Sequence, residues 1–265
     1  MIPKIIHYCW FGRAPLPELA RRCIASWRRY LPDYEIREWN EDNFDVNAIP
    51  YTAEAYAQGK YAFVSDYARF WILYKHGGIY FDTDVEVIRP MDDIIARGNF
   101  MGCETDSQNK AAPTQGAGGV TAQTVNPGLG LGVAPGLGLG VAPGLGLVRK
   151  MLDSYEGRHF EFVPGGIGQE TVVHIATRIL FENGMKDVQG IQQVDGVWIY
   201  PKEYFQPINM TSNRLHITPN TRTIHHYAAT WSDKKPSLKS RLKRVLPEWL
   251  LLLGGRLKNL RNNKR

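Results

Sequence analysis

The chain of 265 residues contains no apolar run long enough to cross a bilayer, no cysteine framework and no complete phosphate-binding loop. Its run Trp249–Leu253 falls far short of the roughly 20 residues that a membrane helix needs. Cys9, Cys23 and Cys103 are odd in number and widely separated, which argues against a disulfide scaffold and leaves no metal-ligand spacing. The glycine-rich stretch lacks the Gly-Lys-Ser/Thr ending of a P-loop. The opening residues, MIPKIIH, show no charged leader before an apolar segment, so no signal peptide is expected, and a reduced cytoplasmic setting is.

Acidic residues are scarce in one place only. Residues 234–265 hold eleven Lys/Arg against the single acid Glu248, a local charge of +10, so the body before them carries −4 of the total +6. A basic surface throughout would point to nucleic acid; a basic terminus points to an anionic surface met by that terminus. Leu238, Leu242, Val245 and Leu246 recur at helical spacing among the cations, so 234–265 is expected to be a basic amphipathic helical tail on an anionic membrane. No nucleic-acid partner is expected, because the aromatics sit in apolar runs rather than between Lys and Arg.

Seven Trp, thirteen Tyr and ten Phe require a folded core, and residues 1–233 are expected to form one domain. Eleven of the 26 glycines lie between Gly116 and Gly146, where PGLGLGVA repeats in tandem from Pro127. Two units are too few for a solenoid, so about 127–147 reads as an insertion, a loop or a loop and short strand, from which one unit should be removable.

The periodicities alternate between strand and helix. Strands are expected at 4–10, 34–39, 79–82, 85–88, 100–103, near 191–199 and near 222–228, and helices at 16–31, 61–76, 91–97, near 147–156 and near 169–183. Gly77-Gly78 ends the buried helix 61–76 with a glycine cap. Such alternation implies an α/β fold with a mixed, largely parallel sheet flanked by helices.

The chemistry concentrates between Ser65 and Asp84. Asp66 and Arg69 lie three apart on a helix and share a face. Asp82 and Asp84 follow an apolar strand, and in extended geometry residues i and i+2 project to the same side. An isolated Asp-x-Asp is usually a turn, but here the strand delivers the pair to its carboxyl end, where open α/β sheets place ligands. Two carboxylates about 4 Å apart repel by on the order of 4 kcal/mol at an effective dielectric near 20, which a divalent cation relieves. Oxygen ligands favour Mn²⁺ or Mg²⁺, and such an ion suits a diphosphate.

The segments IPKIIHYCWFG, SDYARFWILYKHGGIYFDTDV and HHYAATW resemble the bacterial capsular-polysaccharide glycosyltransferases that carry a sugar-binding region with a DXD motif. These are relatives of the yeast initiating mannosyltransferase and, distantly, of the large clostridial glucosylating toxins. The resemblance covers most of residues 1–233. It implies a GT-A fold and metal-dependent transfer of a hexose-type sugar from a UDP- or GDP-sugar, with retained configuration, to a glycan or lipid-linked acceptor on the inner face of the membrane. By it, Asp82 and Asp84 bind Mn²⁺ and the donor diphosphate, Asp66 and Arg69 hold the donor sugar and phosphate, and Tyr80 precedes the pair. Trp10 packs on the nucleotide base, while His7 on the same strand has no assigned role. His226, Thr230 and Trp231 correspond to the family's closing motif, with His226 toward the metal; the doublet His225-His226 leaves that register open by one. Gln169 and Glu170 are candidates for sugar or acceptor contacts. A phosphohydrolase or nucleotidyltransferase using the same Asp pair is the alternative, but it would need further carboxylates or histidines around 79–89.

Overall fold

The structure is a computed structural model that describes residues 1–106, 123–133, 144–163, 170–209 and 214–228. The chain runs β1 (Ile5–Cys9), α1 (Glu18–Tyr30), β2 (Glu35–Trp39), α2 (Pro50–Ala57), α3 (Tyr61–His76), β3 (Gly78–Tyr80), β4 (Val85–Val87), α4 (Asp92–Arg97), β5 (Phe100–Thr105), β6 (Thr124–Val133), α5 (Gly146–Asp153), α6 (Val172–Glu182), β7 (Gln192–Val194), β8 (Val197–Tyr200), α7 (Lys202–Phe205) and β9 (Thr223–His225). The main sheet has the order β2-β1-β3-β6-β5-β8-β7. Five of its seven strands point one way; β6 and the edge strand β7 are reversed. The mixed, largely parallel sheet expected from the alternation is therefore present.

Period-2 alternation in the central strands divides the core between the two faces. Ile6, Tyr8, Ile79, Phe81 and Phe100 pack with Cys23, Ile24 and Trp27 of α1. Cys9, Tyr80, Met101 and Cys103 pack instead with α3, α5 and α6. On α1 the apolar face is buried while the pairs Arg21-Arg22 and Arg28-Arg29 lie toward solvent, except that buried Trp27 donates its Nε1–H to Val85 O at 2.7 Å. Helix α3 is apolar nearly all round, as a helix pressed between a sheet and other helices must be. Gly77, at φ 64°, closes it, and its N–H returns to Leu73 O.

His7 lies under that cap. Its Nδ1 accepts from Trp39 Nε1 at 3.0 Å, so its proton sits on Nε2, which donates to Gly77 O at 3.0 Å. Burial pulls the imidazole down to about 4, and the ring is a neutral strut joining β1, β2 and the end of α3.

Three parts differ from the sequence expectation. The strand near 191–199 is a hairpin, β7–β8, turned at Asp195-Gly196 with φ of 45° and 78°, the positive pair that an Asp-Gly turn supplies. Residues 127–133, expected as the start of an insertion formed by a loop or a loop and short strand, complete β6 in the middle of the sheet: 131–133 pair with β3 and 131–132 with β5, while 127–130 span a register shift. The extended, buried backbone accepts glycine there because flanking strands and rings leave no room for larger side chains: a Cβ on Gly130 would lie 3.2 Å from the Phe205 ring. Finally, β9 leaves the main sheet and pairs antiparallel with β4 as a separate ribbon. The helices α2 and α7 were not expected. Among the described residues no helix is long and apolar enough to cross a membrane.

Candidate active site

One turn of α3 places Asp66 and Arg69 together against the end of β3. Arg69, 4% exposed, donates from Nη2 to Asp66 Oδ1 at 2.8 Å and from Nε to Ser65 O at 3.2 Å. Its Nη1 stands 3.3 Å from Asp82 Oδ1, and the guanidinium lies 4.8 Å above the Tyr80 ring. Tyr80 donates its hydroxyl to Asp82 Oδ1 at 3.2 Å. One buried cation thus serves two carboxylates. Burial works against the guanidinium's charge, but Asp82 above all holds it ionised. Asp66 is the looser partner: burial pushes it up to about 7 against the attraction of Arg69, and the charge of Asp82 adds to the rise. Beneath them the Cys9 thiol is pushed up to about 12 by burial and is inert.

Asp82 and Asp84 do not lie on one extended strand. β3 ends at Tyr80, and Asp82–Thr83–Asp84 is a turn, closed by Val85 N–H to Asp82 O at 3.0 Å, that leads into β4. The turn gives the two carboxylates different partners. Asp84 accepts from His225 Nε2 at 3.0 Å and from the Ala228 N–H at 2.7 Å. Burial opposes its charge, yet the His225 hydrogen bond holds it below the usual carboxylate range. Burial likewise opposes charging His225, and Asp84 raises that imidazole above its ordinary value.

The register of the ribbon settles which histidine is which. β9 pairs Val85 with His225, and successive residues face opposite ways, so His226 turns to Glu86 Oε2 at 2.7 Å. Of the two histidines between which the sequence left the register open, with His226 set toward the metal, it is His225 that bonds to Asp84. Among the described residues no three His, Cys, Asp or Glu side chains converge to hold an ion. The Asp82 and Asp84 side chains, 26% and 17% exposed, nonetheless fit a divalent cation of the kind bound by one or two carboxylates and completed by phosphate and water.

Trp10 follows directly on β1, whose end lies beside that of β3. Its Nε1 donates to Ala14 O at 2.6 Å, and the indole borders a cleft of about 230 Å³ with Arg13, Ala14, Glu38, Asn40 and Glu41. Glu41 accepts the Gly12 N–H at 2.6 Å and the Tyr56 hydroxyl at 2.9 Å. A slightly larger cavity, about 260 Å³, lies between α3 and α5 along Tyr67, Trp71 and Tyr74, and none of Asp66, Asp82 and Asp84 lines it. Glu170 is exposed, pairs with Arg158 and precedes α6, which begins at Val172 after a Thr171–His174 capping box. Gln169, Thr230, Trp231 and the tail 234–265 lie outside the described residues.

Sequence reasoning missed the far wall of the site. The Asp82 N–H donates to Gly128 O at 3.1 Å, the Gly128 N–H to Asn126 Oδ1 at 2.8 Å, and Asn126 Nδ2 to Glu104 Oε2 at 2.9 Å. A Cβ on Gly128 would fall 1.7 Å from Asp82 Oδ2 and 2.9 Å from Arg69 Nη1. The Asn126-Pro127-Gly128 step where the repeat begins was visible, but nothing in its pattern connects Gly128 with Asp82, 46 positions away.

With the geometry in place, residues 17–101 match the family described as the glycosyltransferase sugar-binding region containing the DXD motif. That segment holds Asp66, Arg69, Tyr80, Asp82 and Asp84. Among curated relatives, inositol phosphoceramide mannosyltransferase 1 of Schizosaccharomyces pombe is 29% identical over 116 residues, covering 38% of this chain and 33% of the relative. An uncharacterized glycosyltransferase, L373, of Acanthamoeba polyphaga mimivirus is 34% identical over 106 residues, covering 38% and 42%. The chain thus spans well under half the length of the curated relatives it matches. Of solved structures, the PaToxG glycosyltransferase gives a TM-score of 0.40 at 19% identity, covering 68% of this chain and 69% of that one. The galactosyltransferase LgtC, solved with donor and acceptor sugar analogs, gives 0.38 at 13%, covering 92% and 98%.

Proposed function

We propose that this chain is a retaining glycosyltransferase that moves a hexose-type sugar from a nucleotide sugar, UDP- or GDP-linked, to a glycan or lipid-linked saccharide in surface-polysaccharide (capsule) synthesis. The observation that carries the reading is the buried Asp66–Arg69–Asp82 cluster, set at the end of β3 within the segment matching the DXD family. Trp10 offers its indole face to the base in the adjoining cleft. Arg69, held charged, faces the diphosphate and stabilises the negative charge that grows on it as the sugar leaves, an electrostatic role. Asp66, one oxygen committed to Arg69, accepts hydroxyls of the donor sugar with the other. Asp82 and Asp84 would hold Mn²⁺ or Mg²⁺, which when bound supplies further positive charge to the diphosphate. The acceptor hydroxyl attacks on the face the diphosphate leaves, with no enzyme nucleophile.

The basic tail, by its +10 charge, fixes the enzyme peripherally on the cytoplasmic membrane face. Flotation with anionic liposomes tests this: a 1–233 truncation that floats as well as the full chain refutes it. The activity is tested with a panel of UDP- and GDP-hexoses in Mn²⁺, following sugar transfer or hydrolysis against free phosphate. Wild type should prefer one donor, and Asp82→Asn and Asp84→Asn should abolish its turnover while melting as folded proteins. Full activity of either variant in EDTA, or release of inorganic phosphate as the sole product, sinks the proposal.

A further inference from the structure

Helix α1 gathers its cations on one side. Arg21-Arg22 and Arg28-Arg29 stand seven residues apart, two helical turns or about 10.5 Å along the same face, and all four are exposed. Between the pairs lies Ala25, exposed and small, so the middle of the face does not hold the guanidinium groups off a flat surface. Glu18 is the one acid of the helix, so α1 carries +3 on a body, residues 1–233, whose net charge is −4. Little in that body answers these cations. Among the described residues Arg28 and Arg29 make no ion pair, Arg29 lying instead 5.3 Å over the Tyr30 ring. Arg21 gives Nη1 to Leu16 O at 2.7 Å. Arg22 reaches Glu86 Oε2 at 4.0 Å, an oxygen that His226 Nε2 already holds at 2.7 Å.

We propose that this face of α1 docks on an anionic membrane, its guanidinium groups pairing with lipid phosphates. A guanidinium matches a phosphate through two parallel N–H donors, and four of them spread along one helix face suit a plane of headgroups. The path of the chain supports the same partner. Through Glu86, Arg22 stands beside His226, and the described chain ends at Ala228, two residues further on. The segment 234–265, with its charge of +10, begins six residues beyond, at most about 20 Å of extended chain. Two cationic elements so placed repel each other unless one extended polyanion faces both. The docking face belongs to the folded body, so it needs neither the tail nor the transferase reading. Under that reading it also sets the approach of a lipid-linked saccharide: Glu86 is two residues from Asp84, so the membrane stands beside the Asp84–His225 edge of the site.

The test measures partitioning of the full chain onto phosphatidylcholine vesicles with and without phosphatidylserine. Arg21, Arg22, Arg28 and Arg29 are replaced together by Gln, and separately by Lys. Each cation at an anionic surface is worth roughly fivefold in partitioning, so the Gln variant should bind the phosphatidylserine vesicles about 100-fold or more weakly than wild type, with a melting temperature close to it. The Lys variant should keep most of the binding. A second Gln set at Lys75, Arg149, Lys150 and Arg178 removes the same charge from α3, α5 and α6 on the other face of the sheet and should leave binding nearly unchanged. If the fourfold α1 variant fails to fold, Arg28→Gln with Arg29→Gln, residues that make no protein ion pair, should still lose about 25-fold. An α1 Gln variant that binds as wild type, or equal losses from the two faces, overturns the inference. So do Gln and Lys variants that lose binding alike and melt early, which marks damage to the helix. Weakened binding of single-stranded polyuridylate with vesicle binding intact gives the face to nucleic acid and overturns it as well. None of these measurements requires turnover, so the transferase reading stands or falls separately on the donor panel.

Discussion

Replacing Gly128 by alanine tests whether the reversed central strand shapes the site. The added methyl would sit 1.7 Å from Asp82 Oδ2 and 2.5 Å from its Cγ. An ordinary carbon–oxygen contact needs roughly 3.3 Å, so one group must shift by about 1.5 Å. Gly128 lies between the two stretches of β6 that pair with β5, 124–126 and 131–132, but its backbone is held by the Asp82 N–H bond to Gly128 O and by its own N–H bond to Asn126 Oδ1, so the carboxylate is the group that gives way. It then leaves Arg69 Nη1 at 3.3 Å and the Tyr80 hydroxyl at 3.2 Å. Misplacing a reacting constellation by about 1 Å can cost on the order of 100-fold, and overpacking costs about 1–3 kcal/mol of stability. Gly128→Ala should therefore lower kcat/KM for the preferred donor about 100-fold or more in a protein that still melts cooperatively. Gly146→Ala is the control: nothing lies within 4 Å of its Cβ position in α5, and it should keep full activity. A folded Gly128→Ala protein with wild-type kcat/KM would refute the close approach of β6 to Asp82.

Three further outcomes follow from the site and the strand beside it. His225→Gln should cost more stability and more activity than His226→Gln, because His225 is buried against Asp84 whereas His226 and Glu86 are each about a quarter exposed, a pairing worth about 0–1 kcal/mol; urea melts giving the reverse order would contradict the register of β9. Asp66 binds its proton more tightly when folded, up to about 7, than the ordinary carboxylate of the unfolded chain, so its contribution to stability falls as pH rises from about 4 to about 7. In Asp66→Asn that fall should flatten; melting temperatures followed across this window with an unchanged slope would show that Asp66 does not carry it. Deleting one octamer should leave the fold intact: the next copy restores the same β6 sequence, and Val133 and Gly144 both lie against the end of α3, through Gly78 and Tyr74, so two residues reaching about 11 Å should bridge them. Loss of cooperative melting in the deletion rejects this.

Much of the frame was legible because its signals are local. The period-2 run of β1, the apolar stripe of α1 and the glycine stop of α3 each lie within one window of sequence, and each element appears where its pattern put it. Asp66 and Arg69 were legible for the same reason, being one helical turn apart. What failed were contacts that only the sheet order creates. Asp82 and Asp84 were read as two positions of a strand, yet the turn between β3 and β4 sends them to α3 and β9, partners 13 and 141 positions distant. His225 and His226 are indistinguishable in sequence, and one register of antiparallel pairing separates them.

The repeat shows why composition could not supply the rest. Its copies are identical, so no residue within it says which one serves the site; position relative to Asn126 decides. The copy that follows Asn126 directly is drawn between β3 and β5, where glycine at 128 admits the Asp82 carboxylate and Asn126 ties the strand to Glu104. A reversed strand at this point is what lets Gly128, 46 positions beyond Asp82, return to face it. The same glycine-rich sequence that looked dispensable is therefore constrained at one position by the chemistry of Asp82, and its duplication leaves that position unchanged.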